Sequence, residues 1–534
     1  MVTSWLLMTV LTVGAGSDTV VVCPEVFRSA MTPWVTHRES QGRRIAFVSN
    51  QGTTDDIRAA IRQAADTDDL RAVLLVGDAE VGVDQDSAVR ARCVPVEWAR
   101  SKVTVKLGSE PHISTDDWCA DLDRDGTPEV AVGRLTPDSP EQLAVMVRKI
   151  IAYEQSRDYG PWRRRLQFVA GVGDFGALAD RVIEGTARTF LTQSIAPAYE
   201  VSMIYGSWRS PYFPDPRRFR ETTLESLNSG CQFWIYMGHG YHLQLADVVT
   251  PSGEFPLFSV VDVARLTCRQ GLPIALFLSC YAGAFDAYDD CLAEEMLHCE
   301  GGPVAVIAAS RVAMPYAMTV MALDLAGQAL DGPAETLGEA MLAAKRHLLA
   351  DGEACGPLRE KLDTVAGLIS PFPDMLAEER REHTLLFNLL GDPLLRLRRP
   401  KSVQLAVAET VAPGETFNVV GSSDVDGRAT VELVVSRDRF VATPVRRTEF
   451  PESTRDWPEL QAEYERANDR RLAWTETEIR DRKLAARLAI PENARGSCFI
   501  RVYVEGQQDY AMGAAAISVR PVTLAAKPDS KITR

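Results

Sequence analysis

The sequence predicts an α/β protein: a mainly parallel sheet flanked by helices in two subdomains, followed by a C-terminal immunoglobulin-like β-sandwich. Three observations predict it. Short runs that are apolar at every position, such as Ala72–Val76, Phe233–Met237 and Ile274–Leu278, recur between segments of helical periodicity. Uniformly apolar strands suit a sheet covered on both faces, which is the condition of parallel strands. After Pro400 the pattern changes to apolar–polar alternation, the period of strands with one face in water. A chain of 534 residues also exceeds what one hydrophobic core organises.

Residues 1–17 form a candidate signal peptide. An apolar run at 5–13 precedes the small residues Gly14-Ala15-Gly16-Ser17, although the first basic residue is Arg28, so the usual positive start is missing. Residues 18–158 read as the N-terminal α/β subdomain. Its strands are 20–22, 45–48 and 72–76, and its helices are 26–37, 54–65 and 139–157. Ser139-Pro140-Glu141 supplies an N-cap and a first-turn proline for the last helix. Segment 79–115 is less regular and is expected to form loops beside a cleft.

Residues 159–400 read as the second subdomain, with strands 166–170, 201–205, 233–237, 274–278 and 304–308. Helices 177–191, 217–227, 260–268 and 285–298 alternate with them, and helices dominate from 316 to 390. In residues 401–534, strands at 403–408, 416–420, 429–435, 498–504 and 514–519 are separated by turn residues such as Ala412-Pro413-Gly414-Glu415. That spacing suits a sandwich. The charged stretch 451–483, with Trp457 and Trp474, reads as a solvated helical insertion, and the whole sandwich as separable from the rest.

Composition narrows the function. A formal charge of −15 argues against a nucleic-acid partner and against an anionic membrane surface. No apolar stretch is long enough to span a bilayer. The ten cysteines show no C-x-x-C pair and no zinc spacing.

Two segments carry candidate chemistry. Phe233–Met237 runs into Gly238-His239-Gly240, and Ile274–Leu278 runs into Ser279-Cys280-Tyr281. A histidine and a cysteine thus each follow the carboxyl end of a strand, the edge where open α/β sheets bind ligands. They are 41 positions apart, room for one crossover between parallel neighbours. An imidazole beside a thiol can take its proton and leave the nucleophilic thiolate. His242 is the weaker candidate base. Ser279 is the rival nucleophile, but no Gly-x-Ser-x-Gly elbow frames it.

Two further motifs stand apart. Gly171-Val172-Gly173-Asp174-Phe175-Gly176 matches a dinucleotide fingerprint, but the acidic partner due at the end of the next strand is missing, so it reads as a glycine-rich loop at the sheet edge. Asp121, Asp123, Asp125 and Glu129 occupy positions 1, 3, 5 and 9 of a calcium loop, with Gly126 at the turn. Position 12 is Val132 instead of the bidentate glutamate. The alternatives are a small structural calcium site and an acidic hairpin turn.

Together these segments resemble the gingipain-type cysteine peptidases, which share the caspase-like fold. The resemblance rests on Gly238-His239-Gly240, on Ser279-Cys280-Tyr281-Ala282-Gly283, and on the acidic turn at 121–126 with the strand residues 130–135. Gly301-Gly302-Pro303-Val304-Ala305-Val306 and Leu389-Leu390-Gly391-Asp392-Pro393 complete the ordered set. It implies a cysteine endopeptidase with His239 and Cys280 as the catalytic dyad and the backbone amides of Gly238 and Cys280 as oxyanion donors. It places Ser310 and Arg311 beside the substrate pocket; Arg311 pairs there either with an acidic substrate group or with a structural carboxylate. Catalysis would need no cofactor, the partner would be a protein or peptide substrate, and the location would be secreted or cell envelope. The alternatives are a non-catalytic adhesion or recognition protein on this scaffold and a sortase-like transpeptidase.

Overall fold

The computed structural model describes residues 16–65, 69–79, 87–173, 185, 192 and 194–520. Most of the candidate signal peptide, the expected helix 177–191 and the far half of the glycine-rich loop lie outside the described residues.

The first unit contains strands β1 (Thr19–Val22), β2 (Ile45–Val48), β3 (Ala72–Val76) and β4 (Ala131–Leu135). The second contains β5 (Arg165–Ala170), β6 (Glu200–Tyr205), β7 (Phe233–Met237), β8 (Ile274–Leu278), β9 (Ala305–Ala309) and β10 (Phe387–Leu390). Among the described residues these ten form one sheet in the order β2-β1-β3-β4-β10-β9-β8-β7-β5-β6. Strands β1 to β4 and β10 run parallel to one another, as do β5 to β9. The two sets meet antiparallel where β10 pairs with β9. The two subdomains therefore share a sheet. β10 falls in a stretch read from sequence as helical: it follows the helix at Leu376–Leu386 with no turn between them.

Helices α1 (Thr32–Ser40), α2 (Thr54–Ala64), α3 (Pro140–Gln155), α4 (Phe219–Asn228) and α5 (Leu292–His298) cover the sheet, joined by α6 (Pro315–Leu330), α7 (Leu337–Leu349), α8 (Gly356–Ile369) and α9 (Leu376–Leu386). Local chemistry sets their starts. Ser139 caps α3 by accepting the Gln142 amide, and Thr53 with Asp56 forms a capping box on α2. One apolar core runs beneath both units, so it does not break near residue 158. The irregular segment 79–115 includes a hairpin, Glu97–Arg100 against His112–Thr115.

The C-terminal sandwich comprises β11 (Lys401–Ala406), β12 (Thr410–Val411), β13 (Thr416–Ser423), β14 (Gly427–Val435), β15 (Arg471–Ile479), β16 (Lys483–Ala489), β17 (Gly496–Gly506) and β18 (Tyr510–Val519). Its order is β15-β14-β17-β18-β11-β13-β16, with β12 beside β18. The two ends approach, and Thr477 Oγ1 donates to Ala485 O at 3.1 Å, so the sheet is nearly closed around its own core.

The reading of 451–483 as a solvated helical insertion is corrected. Helix α10 (Trp457–Asn468) is present, but Arg471–Ile479 is the strand β15, paired with β14. The helix is also docked. Trp457 is buried, 5.7 Å from the Phe255 ring and 5.9 Å from the Phe450 ring. The charges of this segment hide an apolar stripe at Trp457, Leu460, Tyr464 and Ala467, spaced to face one side of a helix.

Polar contacts reinforce that docking. Glu432 of β14, fully buried, pairs with Arg501 Nε at 2.7 Å and with Arg164 Nη1 of the second subdomain at 3.0 Å. Burial alone would raise the Glu432 carboxyl; the two guanidinium groups outweigh it and hold its pKa below the usual value. Tyr503 Oη donates to the carbonyls of Tyr159 and Gly160 at 2.8 Å.

Candidate active site

β7 and β8 are parallel neighbours in register, with Leu278 opposite Met237. His239 and Cys280 therefore each stand two residues beyond the last pair, on strands that lie about 4.8 Å apart. Gly240 lets the two loops meet: a Cβ there would sit 2.6 Å from Ser279 Oγ and 2.7 Å from Cys280 O. The Tyr236 hydroxyl donates to His239 O at 2.6 Å and the Ala246 amide at 3.0 Å, fixing the histidine backbone.

The imidazole has a defined orientation. His239 Nε2 lies 2.6 Å from Gly173 O. A carbonyl only accepts, so Nε2 carries the proton, and in the neutral ring Nδ1 holds the lone pair. Gly173 belongs to the glycine-rich loop noted above, whose Gly171 amide donates to Met237 O at 2.8 Å. This orienting carbonyl was not found from sequence; the loop was its only signal.

The thiol is held as well. The Ala313 amide donates to Cys280 Sγ at 3.3 Å. Tyr281 adopts a left-handed backbone, φ 56°, and its amide donates to Arg311 O at 3.2 Å. A non-glycine residue in that region is costly, and such strain clusters at functional loops. The Tyr281 hydroxyl donates to Glu110 at 3.0 Å, which brings the 79–115 segment against the cysteine loop.

The rival residues have different surroundings. Ser279 is 1% exposed and its Oγ has no hydrogen-bond partner among the described residues, whereas Cys280 is only half-buried. His242 Nε2 lies 2.9 Å from Asp289 O. Ser310 is fully buried and donates to Ser114 O at 2.9 Å. Arg311 forks onto Asp286 at 2.8 and 2.5 Å and donates to His112 O at 3.1 Å. The structural ion pair, one of the two expectations for Arg311, is formed with Asp286. Of the two residues, Arg311 touches the cysteine loop, through its carbonyl and the Tyr281 amide. The Gly238 amide already donates to Leu278 O at 3.2 Å, continuing the strand ladder, so it reaches an oxyanion only by giving up that bond.

The acidic turn closes on itself. Ligand atoms of Asp121, Asp123, Asp125 and Glu129 all lie within 4.8 Å of one another. Asp121 accepts the Asp125 and Gly126 amides at 3.1 and 3.0 Å, and Gly126 takes φ 87°. Burial raises the Glu129 carboxyl; the Leu122 amide lowers it, and the neighbouring aspartates raise it further. The turn lies in the loop that leads into β4, which β10 and β9 separate from β8 in the sheet.

With the geometry in view, the chain was compared with known proteins. The family model for peptidase family C25 matches residues 13–398. The chain belongs to that family. C25 proteins similar to it include Lys-gingipain of Porphyromonas gingivalis, 23% identical over 304 residues, which are 54% of this chain and 15% of that protein. Lys-gingipain W83 of the same species is 23% identical over 302 residues, with the same coverage. The chain thus spans a small part of the length of the curated relatives it matches. Among solved structures, the Arg-specific cysteine proteinase gingipain R aligns over 95% of this chain and 98% of that one, with a TM-score of 0.51 and 15% identity. The complex of Porphyromonas gingivalis RgpB pro- and mature domains aligns over 94% and 100%, with a TM-score of 0.50 and 15% identity. The caspase-like α/β fold with a C-terminal sandwich is therefore a C25 architecture.

The state of the candidate thiol bears on what chemistry the site can do. Burial raises the Cys280 pKa, and the Ala313 amide lowers it only in part. That direction favours the protonated thiol, whose proton a neighbouring base can take as the sulfur reacts. Among the described residues no helix is long and apolar enough to cross a membrane.

Proposed function

We propose that the chain is a cysteine endopeptidase that cleaves peptide bonds in proteins through His239 and Cys280. The observation that carries this reading is the register of β7 and β8, which sets both residues two positions beyond one strand pair. His239 Nδ1, the lone-pair nitrogen, takes the Cys280 proton as Sγ attacks the scissile carbonyl carbon. The Cys280 amide donates to the oxyanion. The tetrahedral centre collapses, the carbon–nitrogen bond breaks, and Nδ1–H protonates the leaving amine. A water molecule, deprotonated by Nδ1, then attacks the thioester and releases the acid and the thiol. The raised thiol pKa supports general-base action over a preformed thiolate–imidazolium pair.

The relatives' names carry Lys and Arg specificity; at 23% and 15% identity that specificity is not carried over to this chain. Export to the cell envelope or beyond fits the candidate signal peptide. Structural calcium at the 121–129 turn, with no cofactor in the chemistry, completes the reading.

The test combines labelling and turnover. Peptide acyloxymethyl ketones should modify Cys280, located by mass spectrometry. Cys280→Ala and His239→Ala should each lower peptide turnover by about four to six orders of magnitude, with the fold retained. Ser279→Ala should keep most activity. Near-full turnover by Cys280→Ala would overturn the reading, and loss in Ser279→Ala alone would move the nucleophile. Product carrying an added amine in place of water would identify a transpeptidase.

A further inference from the structure

A cavity of about 450 Å³ lies where the chain leaves β10 for the sandwich. The run 394–399 forms one wall, and Lys401 at the start of β11 borders it. His37 of α1, with Gln41 and Arg43 just beyond that helix, lines another side. None of the lining residues belongs to β7, β8 or the loops that follow them, so the cavity is separate from the candidate dyad. Every lining residue and its immediate chain neighbours lie among the described residues. The volume is that of a small-ligand pocket.

We propose that this cavity binds a small oxyanion of two or three negative charges, phosphate-bearing or polycarboxylate, and that the bound anion clamps the entry to the sandwich against the helices of the α/β part. The proposal is independent of the peptidase reading.

The charges of the walls argue for an anion. Arg43, Arg396, Arg398, Arg399 and Lys401 line the cavity, against two carboxylates, Glu154 and Glu335. That excess of cations stands in a chain whose formal charge is −15. The Glu154 carboxylate is already engaged: it is buried and accepts Arg38 Nη1 at 2.9 Å, Gln41 Nε2 at 2.8 Å and the Arg396 amide at 2.9 Å. Glu335 is exposed and makes no ion pair among the described residues. Lys401 only approaches Asp509, at 3.9 Å. Like charges gathered on one cavity repel, and a bound anion relieves that repulsion.

The arginines are set for the task. Arg398 donates to Tyr159 Oη at 2.9 Å and Glu154 O at 2.8 Å, and Arg399 donates to Gln328 O at 2.8 Å and to Ala334 O. These neutral acceptors fix the two guanidinium groups and leave their charges uncancelled. Arg43 and Arg396 make no side-chain hydrogen bond or ion pair among the described residues, so their donors are available. The wall that carries Arg396 is braced: the Leu397 amide donates to Glu335 O at 2.9 Å, and the Leu337 amide to Leu395 O at 2.8 Å. Guanidinium forks match phosphate and carboxylate oxygens two at a time, and they part with water more readily than an ammonium does. An anion held between Arg43 beyond α1 and Arg396 on the run into β11 would join two parts of the chain that meet at this cavity.

The test uses the full chain in buffer free of divalent ions, because the probes, pyrophosphate and citrate, also take up calcium. Isothermal titration at fixed ionic strength should show one site with a Kd below about 1 mM for at least one probe. Which probe binds more tightly tells a phosphate ligand from a carboxylate one. The melting temperature should rise with that anion and not with chloride at the same ionic strength. Arg43→Gln and Arg396→Gln should each weaken Kd at least about tenfold, because each removes hydrogen bonds between charged groups. Neither side chain has a partner to lose, so without anion the double variant should melt no lower than wild type. A double variant that melts well below wild type would make these arginines structural and overturn the inference. So would the absence of a site for both probes, an unchanged Kd in the double variant, or an equal shift with chloride, which would reduce the effect to screening. Peptide turnover plays no part in the readout, so a failure of the peptidase reading would leave this result standing.

Discussion

His383 Nε2 accepts the Met314 amide at 2.7 Å, while its Nδ1 lies 2.6 Å from Glu379 O. An amide only donates and a carbonyl only accepts, so the buried ring is neutral with its proton on Nδ1. Met314 follows Ala313, whose amide holds the Cys280 sulfur. His383 is thus a positioning residue for the thiol, acting through two consecutive backbone amides. Burial lowers its pKa to about 4 and raises that of Glu379 to about 7.

The two shifts act oppositely on stability. His383 takes a proton more readily unfolded, so its contribution is complete above pH 6.5 and is lost as pH falls toward about 4. Glu379 holds its proton more tightly when folded, so its contribution is complete below pH 4.5 and is lost as pH rises through about 7. Glu379→Gln removes only the second slope. Urea denaturation between pH 4 and 7 should show this variant losing stability on acidification more steeply than wild type. His383→Ala should cost about 1–3 kcal/mol by stranding the Met314 amide, and should slow peptide-probe labelling of Cys280.

Gly240→Ala should damage the site. The added carbon would stand 2.6 Å from Ser279 Oγ and 2.7 Å from Cys280 O, and the second neighbour is backbone that cannot swing away. Turnover should fall at least about a hundredfold, because small misplacements of reacting groups are costly. Peptide kinetics beside circular dichroism would check this, with the fold unchanged.

Glu432→Ala should cost about 3–5 kcal/mol by leaving the Arg164 and Arg501 charges buried without a counterion. The carboxyl is depressed in the fold, so its contribution is present above the ordinary carboxylate pKa and is lost as pH falls through the lower folded value. Denaturant midpoints of wild type and variant should therefore converge in acid. Cutting after Pro400 would strip the same contacts and uncover the seat of Trp457. The fragment should be insoluble or much less stable, contrary to the separability its strand pattern suggests.

Calcium should raise the melting temperature of the wild type and not of Asp123→Asn. Four carboxylates crowded within 4.8 Å repel one another until a divalent ion neutralises them. Without a position-12 glutamate, affinity should fall in the range of about 10⁻⁴ to 10⁻³ M seen for weak extracellular sites. Thermal scans with chelator and with millimolar calcium would read it as a concentration-dependent shift.

What the sequence revealed follows from periodicity. Phe233–Met237 and Ile274–Leu278 are apolar throughout, so the strands and the residues just past them were legible. β10 was not, because Phe387-Asn388-Leu389-Leu390 is short and continues directly from α9 without a turn residue. The docking of α10 was masked by charge, since its apolar stripe is one side chain wide. His383 and Gly173 bear on Cys280 and His239 through main-chain atoms, which leave no mark on residue type; only the glycine-rich loop hinted at the second.

The join at β10 also has a consequence for synthesis. Ribosomes make β4 and β9 long before Phe387–Leu390, so each half-sheet first exists with an unpaired inner edge. Such edges invite pairing with other chains. While α6 to α9 are still emerging, a nascent chain would already carry His239 and Cys280 but lack both the bridging strand and His383, the residue that steadies the thiol from α9. Stalling or truncation within that window would leave a sticky, unarmed intermediate, and competence would arrive late, in one step, with the closing of the sheet.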